Sequence, residues 1–182
     1  MASRQVKRSR RIGVSKDASL KLLLAGIRLF ATDVDGVLTD AGMYYSENGD
    51  EWKKFNTHDG MGIKLLQQAG LVTALITQEQ TKLVVRRAEK LAIPEVHQGV
   101  RDKLAVVQAL ADKYGVTLRQ VAYVGDDVND LAALKAVGFS AAPADGLPSI
   151  RQVVRHVCRK KGGEGAVREV ADLILSARDG RS

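Results

Sequence analysis

The sequence predicts an α/β fold: three layers, with a parallel sheet between helices and a β-hairpin inserted into it. Three observations carry that expectation. Short, largely apolar runs recur at Ile27–Ala31, Leu71–Ile76 and Val121–Val124, too brief for buried helices. Helix-patterned segments separate them, and strands joined through helices make crossover units in a parallel sheet. Each run ends in polar residues, at Asp33, Thr77 and Asp126, and ligands of open parallel sheets gather at the carboxyl ends of strands.

Taken in order, Lys16–Ala25 reads as a helical lead-in and the first strand ends at Asp33. Asn48-Gly49 between strand-like arms predicts a hairpin over about 43–55, because a two-residue turn favours residues that accept positive φ. Such a turn sets Tyr45 opposite Trp52. Met61, Ile63, Leu65 and Leu66 space an amphipathic helix over Asp59–Ala69, closed by Gly70. A strand over Leu71–Thr77, a basic helix over Thr81–Leu91 and a short strand at Glu95–Gln98 follow. Asp102 caps a helix running to Tyr114. The strand Val121–Val124, a helix over Leu131–Val137 and a strand at Phe139–Ala142 come next. A basic helix from Ile150 then leads into Lys160-Lys161-Gly162-Gly163-Glu164-Gly165, and a last helix runs from Ala166 to about Ala177.

The chain has 28 Lys and Arg against 21 Asp and Glu, a formal charge of +7. Part of the excess sits in Arg4, Lys7, Arg8, Arg10 and Arg11, with no acid before Asp17. No aromatic residue is interleaved there for base stacking, so residues 1–19 read as a basic flexible leader and not as a nucleic-acid arm. The remaining positive balance suits an anionic substrate. One cysteine, Cys158, excludes an internal disulfide framework and fits a reducing cytoplasm. No apolar run reaches the length of a membrane span, nor is there a signal-peptide core with its cleavage site. One domain over 20–177 is expected, with 178–182 a frayed end and neither nucleic acid nor membrane as partner.

Two carboxylates one residue apart, Asp33 and Asp35, repel unless a cation or proton intervenes. An Asx-turn at Asp35-Gly36 would explain that pair alone. Asp126, Asp127 and Asp130 at a third strand end and Lys103 in the first turn of a helix make a larger pattern. A lysine there opposes the helix dipole unless an anion shares the helix end. These residues suit phosphoryl transfer. A carboxylate attacks phosphorus, a second acid two residues on protonates the leaving alkoxide, and lysine with threonine holds the phosphoryl oxygens. Mg²⁺ prefers oxygen ligands and would shield the carboxylates. His58 and His97 have no soft donor at metal spacing, so His58 and the adjacent Asp59 are candidate substrate contacts and His97 is structural.

Asp33-Val34-Asp35-Gly36-Val37-Leu38-Thr39-Asp40, Thr77, Lys103 and Gly125-Asp126-Asp127-Val128-Asn129-Asp130 resemble the four-motif set of the haloacid dehalogenase (HAD) superfamily of phosphatases. Order, strand-end placement and spacing all match, over about Ile27 to about Leu175. The resemblance implies a Rossmann-like core, Asp33 as nucleophile, Asp35 as general acid/base, and Thr77 with Lys103 as the phosphate-holding pair. It implies Mg²⁺ on Asp33, Asp126 and a backbone carbonyl, that of Asp35 by the family pattern; side-chain identity does not choose between Val34 and Asp35. Asp127 or Asp130 would orient Lys103 or the metal's waters.

The chain has little room for the separate cap domain that most members carry. The capless hairpin, Phe55-Asn56-Thr57-His58-Asp59-Gly60-Met61-Gly62, Gln98-Gly99 before Asp102-Lys103, and Gly162-Gly163-Glu164-Gly165-Ala166-Val167-Arg168-Glu169 resemble one subgroup. It holds the 3-deoxy-D-manno-octulosonate 8-phosphate (KDO 8-phosphate) phosphatases, which act in lipopolysaccharide precursor synthesis, and their relatives acting on nine-carbon sugar acid 9-phosphates. The resemblance implies a homotetramer with hairpins at its centre, each site closed by a neighbouring subunit, and the tail with Arg168 reaching toward a site. Arg168 suits a substrate carboxylate. One departure concerns Thr77-Gln78-Glu79-Gln80, where octulosonate phosphatases usually place glycine and arginine after the threonine; Glu79 is more like the nine-carbon branch. The expected function is thus Mg²⁺-dependent hydrolysis of a 2-keto-3-deoxy sugar acid phosphate. The alternatives are a nonulosonate 9-phosphate substrate (KDN or acylneuraminate) and, from another class, a non-catalytic basic binding protein on the same fold.

Overall fold

The structure, a computed structural model, describes residues 16–180. Most of the basic leader lies outside the described residues; its last part, 16–19, belongs to the first helix, α1 (Lys16–Ala25). The chain continues through β1 (Leu29–Thr32), a two-stranded ribbon of β2 (Tyr44–Tyr45) and β3 (Glu51–Trp52), α2 (Thr57–Gln68), β4 (Val72–Ile76) and α3 (Lys82–Leu91). It then forms β5 (Glu95–His97), α4 (Lys103–Lys113), β6 (Val121–Val124), α5 (Leu131–Ala136), β7 (Phe139–Ala142), α6 (Pro148–Arg151), β8 (His156–Val157) and α7 (Ala166–Arg178).

The main sheet has the order β5-β4-β1-β6-β7-β8, and every pairing in it is parallel. Order reverses between β1 and β6, which is where such sheets open a ligand crevice. Both faces are covered, so the strands read as near-continuous apolar runs. Alternate residues serve alternate cores. Phe30, Leu75, Ala122 and Val124 pack with α2, α3 and α7 on one face. Leu29, Ala31, Ala74, Ile76, Val121 and Tyr123 pack with α4, α5 and α6 on the other. No helix among the described residues is long and apolar enough to cross a membrane.

Three expectations are corrected. The hairpin pairs Tyr44, not Tyr45, with Trp52, and Tyr45 with Glu51. Ser46 N–H donates to Asp50 O and Gly49 N–H to Ser46 O, so the turn has three loop residues, and Gly49 (φ 85°) is the one in the left-handed region. A left-handed glycine after a tight turn makes a bulge, which slips the register by one residue and exchanges the faces. The basic helix from Ile150 is a single turn, followed by β8 on the edge of the sheet, because Cys158 N–H and Arg155 N–H donate to the β7 carbonyls of Ala142 and Ser140. The end at residue 178 is anchored: the Arg178 guanidinium donates to the carbonyls of Ile27 and Ala69.

Candidate active site

The catalytic loop follows β1 without a break. Asp33 N–H donates to Val124 O, so the first carboxylate is locked beside the end of β6. The chain then turns back on itself, with the N–H groups of Val37, Leu38 and Thr39 all donating to the Val34 carbonyl. Gly36 (φ 81°) makes the turn, and a Cβ there would stand 2.0 Å from Asp126 Oδ2, so only glycine admits the Asp126 carboxylate. From behind, Gly163 N–H donates to Val37 O, and a Cβ at Gly162 would meet the Gly36 carbonyl at 2.0 Å. The glycine run of the tail therefore buttresses the loop from its own chain.

Lys103 opens α4 and is 1 % exposed, with its ammonium 2.7 Å from Asp33 Oδ2 and 2.7 Å from Asp130 Oδ1. Two of its three donors are so engaged. Burial opposes its charge, but Asp33 and Asp130 outweigh burial and raise its pKa. Asp130 also accepts from the Tyr123 hydroxyl at 2.7 Å and from the backbone N–H groups of Asp126 and Asp127. It is a brace for Lys103 and for the Gly125-Asp126-Asp127 turn. Asp127 does not share that role: it caps the short turn at 128–130 and sits at the cleft rim. Tyr123, unread in the sequence, could have been found as a buried tyrosine whose hydroxyl requires a partner.

Asp33, Asp35, Thr77, Glu79, Asp126 and Asp127 line one cleft of about 280 Å³, above the buried Lys103. Burial, then the Asp130 charge, pushes Asp33 up to about 7 against the pull of Lys103. Burial, then Asp33, Asp130 and Asp127, pushes Asp126 up to about 8. One ammonium faces three clustered carboxylates, so the cleft favours further positive charge. The donor set fits Mg²⁺. Asp126 Oδ1 is buried without a hydrogen-bond partner. The Val34 carbonyl is occupied by three N–H groups, whereas the Asp35 carbonyl has no donor among the described residues. That leaves the Asp35 carbonyl, the one the family pattern implies, better placed than that of Val34 to accept a cation.

Three expected substrate residues do not meet this cleft within the chain. Asp59 is fully buried, and its carboxylate accepts the N–H groups of Gly165 and Arg168. It caps α7, a role the local pattern could not reveal because its partners lie more than a hundred residues on. Arg168 donates through Nε to Asp172 at 2.8 Å and, with His58, lines a separate cavity of about 520 Å³. His156, Cys158 and Glu169 cluster beside that cavity. Glu169 accepts from the N–H groups of Arg159 and Lys160, and burial with the Glu169 and Asp59 charges pushes the Cys158 thiol up to about 12. That cluster is a clasp on the tail. His97 lies 3.1 Å from Glu95 and does not line the cleft.

One residue came into the site unread. Lys53, just past β3, places Nζ 2.5 Å from Asp35 Oδ1. Nothing in its local spacing marks it; only the docking of the hairpin brings it there.

Comparison with known proteins identifies the family. The family model of haloacid dehalogenase-like hydrolases matches residues 67–170. The chain is 44% identical over 155 residues to the 3-deoxy-D-manno-octulosonate 8-phosphate phosphatase KdsC of Yersinia pestis, covering 85% of this chain and 83% of that protein. Among solved structures it is similar to the Moraxella catarrhalis phosphatase of that name in complex with magnesium ion, phosphate ion and KDO: TM-score 0.86, 40% identity, 89% of this chain and 93% of that one. The cobalt-bound Haemophilus influenzae enzyme gives a TM-score of 0.83 at 39% identity, covering 86% and 92%.

Proposed function

The chain belongs to the haloacid dehalogenase-like hydrolases, among the 3-deoxy-D-manno-octulosonate 8-phosphate phosphatases, and on that premise we propose that it releases phosphate from that sugar acid phosphate through an aspartyl phosphate on Asp33. The observation that carries the assignment of roles is one cleft holding Asp33, pinned by Lys103, beside two buried carboxylate oxygens without partners, Asp35 Oδ2 and Asp126 Oδ1.

Val34 N–H and the Lys103 ammonium fix the two oxygens of Asp33, so the nucleophile meets phosphorus with little rotational freedom to lose. Asp35 gives a proton to the leaving alkoxide, then takes one from the water that cleaves the aspartyl phosphate. The third donor of Lys103 and the Thr77 hydroxyl hold the phosphoryl oxygens. Asp33, the Asp35 carbonyl and Asp126 would hold Mg²⁺, which when bound neutralises charge on the phosphoryl group and the carboxylates.

The open cleft and the exposed Tyr44, Tyr45 and Trp52 of the hairpin support a homotetramer in which a neighbouring subunit closes the site. Cys158, a free thiol, supports a cytoplasmic setting. Glu79 at the cleft rim favours a second reading, a nine-carbon 9-phosphate substrate. Phosphate release measured on eight-carbon and nine-carbon sugar acid phosphates tests both. The eight-carbon ester should be preferred, with activity lost in EDTA and restored by Mg²⁺; preference for the nine-carbon ester would transfer the assignment. Glu79→Arg should shift the ratio toward the eight-carbon acid if Glu79 meets the sugar.

A further inference from the structure

Asp35 is held by one oxygen and presented by the other. Its Oδ1 accepts from Lys53 Nζ at 2.5 Å and from the Thr39 hydroxyl at 3.4 Å. Its Oδ2 is buried without a partner in the cleft. Lys53 is not a surface lysine that happens to reach an acid: its side chain is 2 % exposed, and a buried ammonium requires a partner. The hairpin stem that carries it is fixed to the catalytic loop by an antiparallel bridge between Thr39 and Phe55. The Lys53 ammonium is bound to Asp35 Oδ1 with its side chain buried, so it acts through that carboxylate.

We infer that Lys53 is a positioning residue for the acid/base: it anchors Asp35 Oδ1 and so sets the rotation of the carboxyl group that turns Oδ2 toward the leaving-group oxygen. The inference rests on the phosphatase reading above and adds the hairpin to the catalytic apparatus. Tyr44, Tyr45 and Trp52 at the hairpin's tip are exposed, and the buried Lys53 side chain links its stem to the acid. Displacing the stem would misalign Asp35 while leaving Asp33, Lys103 and Asp126 in place.

The test compares leaving groups, because an alkoxide needs a proton to depart and p-nitrophenolate hardly does. Lys53→Met should lower kcat/KM for the sugar acid phosphate on the order of 100-fold and for p-nitrophenyl phosphate by less than about tenfold, within the range of general acid catalysis. Lys53→Arg, which keeps donors at the site, should recover a large part of the loss. In an Asp35→Asn background, Lys53→Met should cost less than about threefold more, since residues that act as a unit are not additive. Equal losses on both esters, or full additivity with Asp35→Asn, would overturn the role. Light scattering and a thermal melt on each variant separate misfolding from misalignment; if Lys53→Met does not fold, Lys53→Gln carries the same comparison. A wild type that releases phosphate from neither ester would overturn the phosphatase reading and this role together, whereas an active wild type with an indifferent Lys53 variant overturns this role alone.

Discussion

Asp59, at the junction of α2 with α7, and Asp126, at the end of β6, are both withdrawn from water, and burial raises the pKa of each. Their surroundings differ in kind. Both oxygens of Asp59 accept backbone N–H groups, which closes the N-terminus of α7 and ties the tail to α2. Asp126 has Oδ1 without a partner, three carboxylates for neighbours and a glycine where any side chain would collide with it. A buried carboxylate with every oxygen engaged lowers the energy of the fold. One left unpaired among like charges raises it, and such strain persists where a ligand relieves it. The difference separates structure from function at residues that look alike in the sequence.

The largest effect is expected inside the cleft. Asp33→Asn should reduce phosphate release by roughly 10⁴-fold or more, as loss of a nucleophile does, with circular dichroism unchanged. Near-native turnover would remove Asp33 from the role of nucleophile.

Substituting the two contrasted residues should move stability in opposite directions. Asp59→Ala leaves the N-terminus of α7 uncapped and should cost about 1–3 kcal/mol in a denaturant melt, while kcat well below the melting temperature stays near wild type. Asp126→Asn removes a group whose ionisation the crowded cleft opposes, so the metal-free protein should melt at the same temperature or higher, yet its Mg²⁺-dependent activity and its stabilisation by Mg²⁺ should be lost. If both substitutions destabilised the metal-free protein alike, the contrast would fail.

The pH dependence sharpens the same point. Asp33 at about 7 and Asp126 at about 8 lie above the 3.8 of an unconstrained aspartate. The folded chain keeps protons that the unfolded chain has released, so this contribution is complete below the unfolded value and is lost as pH rises through the folded ones. In EDTA the melting temperature should decline between about pH 5 and about pH 8. Mg²⁺ takes ionised carboxylates and should therefore raise the melting temperature more at about pH 8 than at about pH 5. An equal or larger effect at the acid end would count against these carboxylates as its ligands.

The smallest effect is expected at Arg168, whose exposed ion pair with Asp172 is worth less than about 1 kcal/mol. Arg168→Ala should change the ratio of sugar acid phosphate to p-nitrophenyl phosphate activity by less than about threefold, because a pair of that kind contributes little and the side chain lies outside its own cleft. A selective loss on the order of tenfold, about 1.4 kcal/mol, would instead place Arg168 at a neighbouring subunit's site.

The sequence by itself determined the sheet and the reacting groups. Strand-end residues Asp33, Thr77 and Asp126 were legible because the crossover rule brings the carboxyl ends of parallel strands to one edge, whatever the details of packing. Lys103 was legible because a lysine in the first helical turn contradicts local electrostatics. What tertiary structure alone decided are matters of contact between distant segments. Asp59 and Arg168 looked like substrate residues, but their first obligations are to α7, and a cap whose donors lie across the chain leaves no local trace. The hairpin register turned on whether Gly49 ends a two- or a three-residue loop, a difference of one backbone conformation that Asn48-Gly49 does not settle. Lys53 was invisible for the same reason: periodicity reports which face of an element is buried, and not which buried oxygen, eighteen residues earlier, the ammonium will meet.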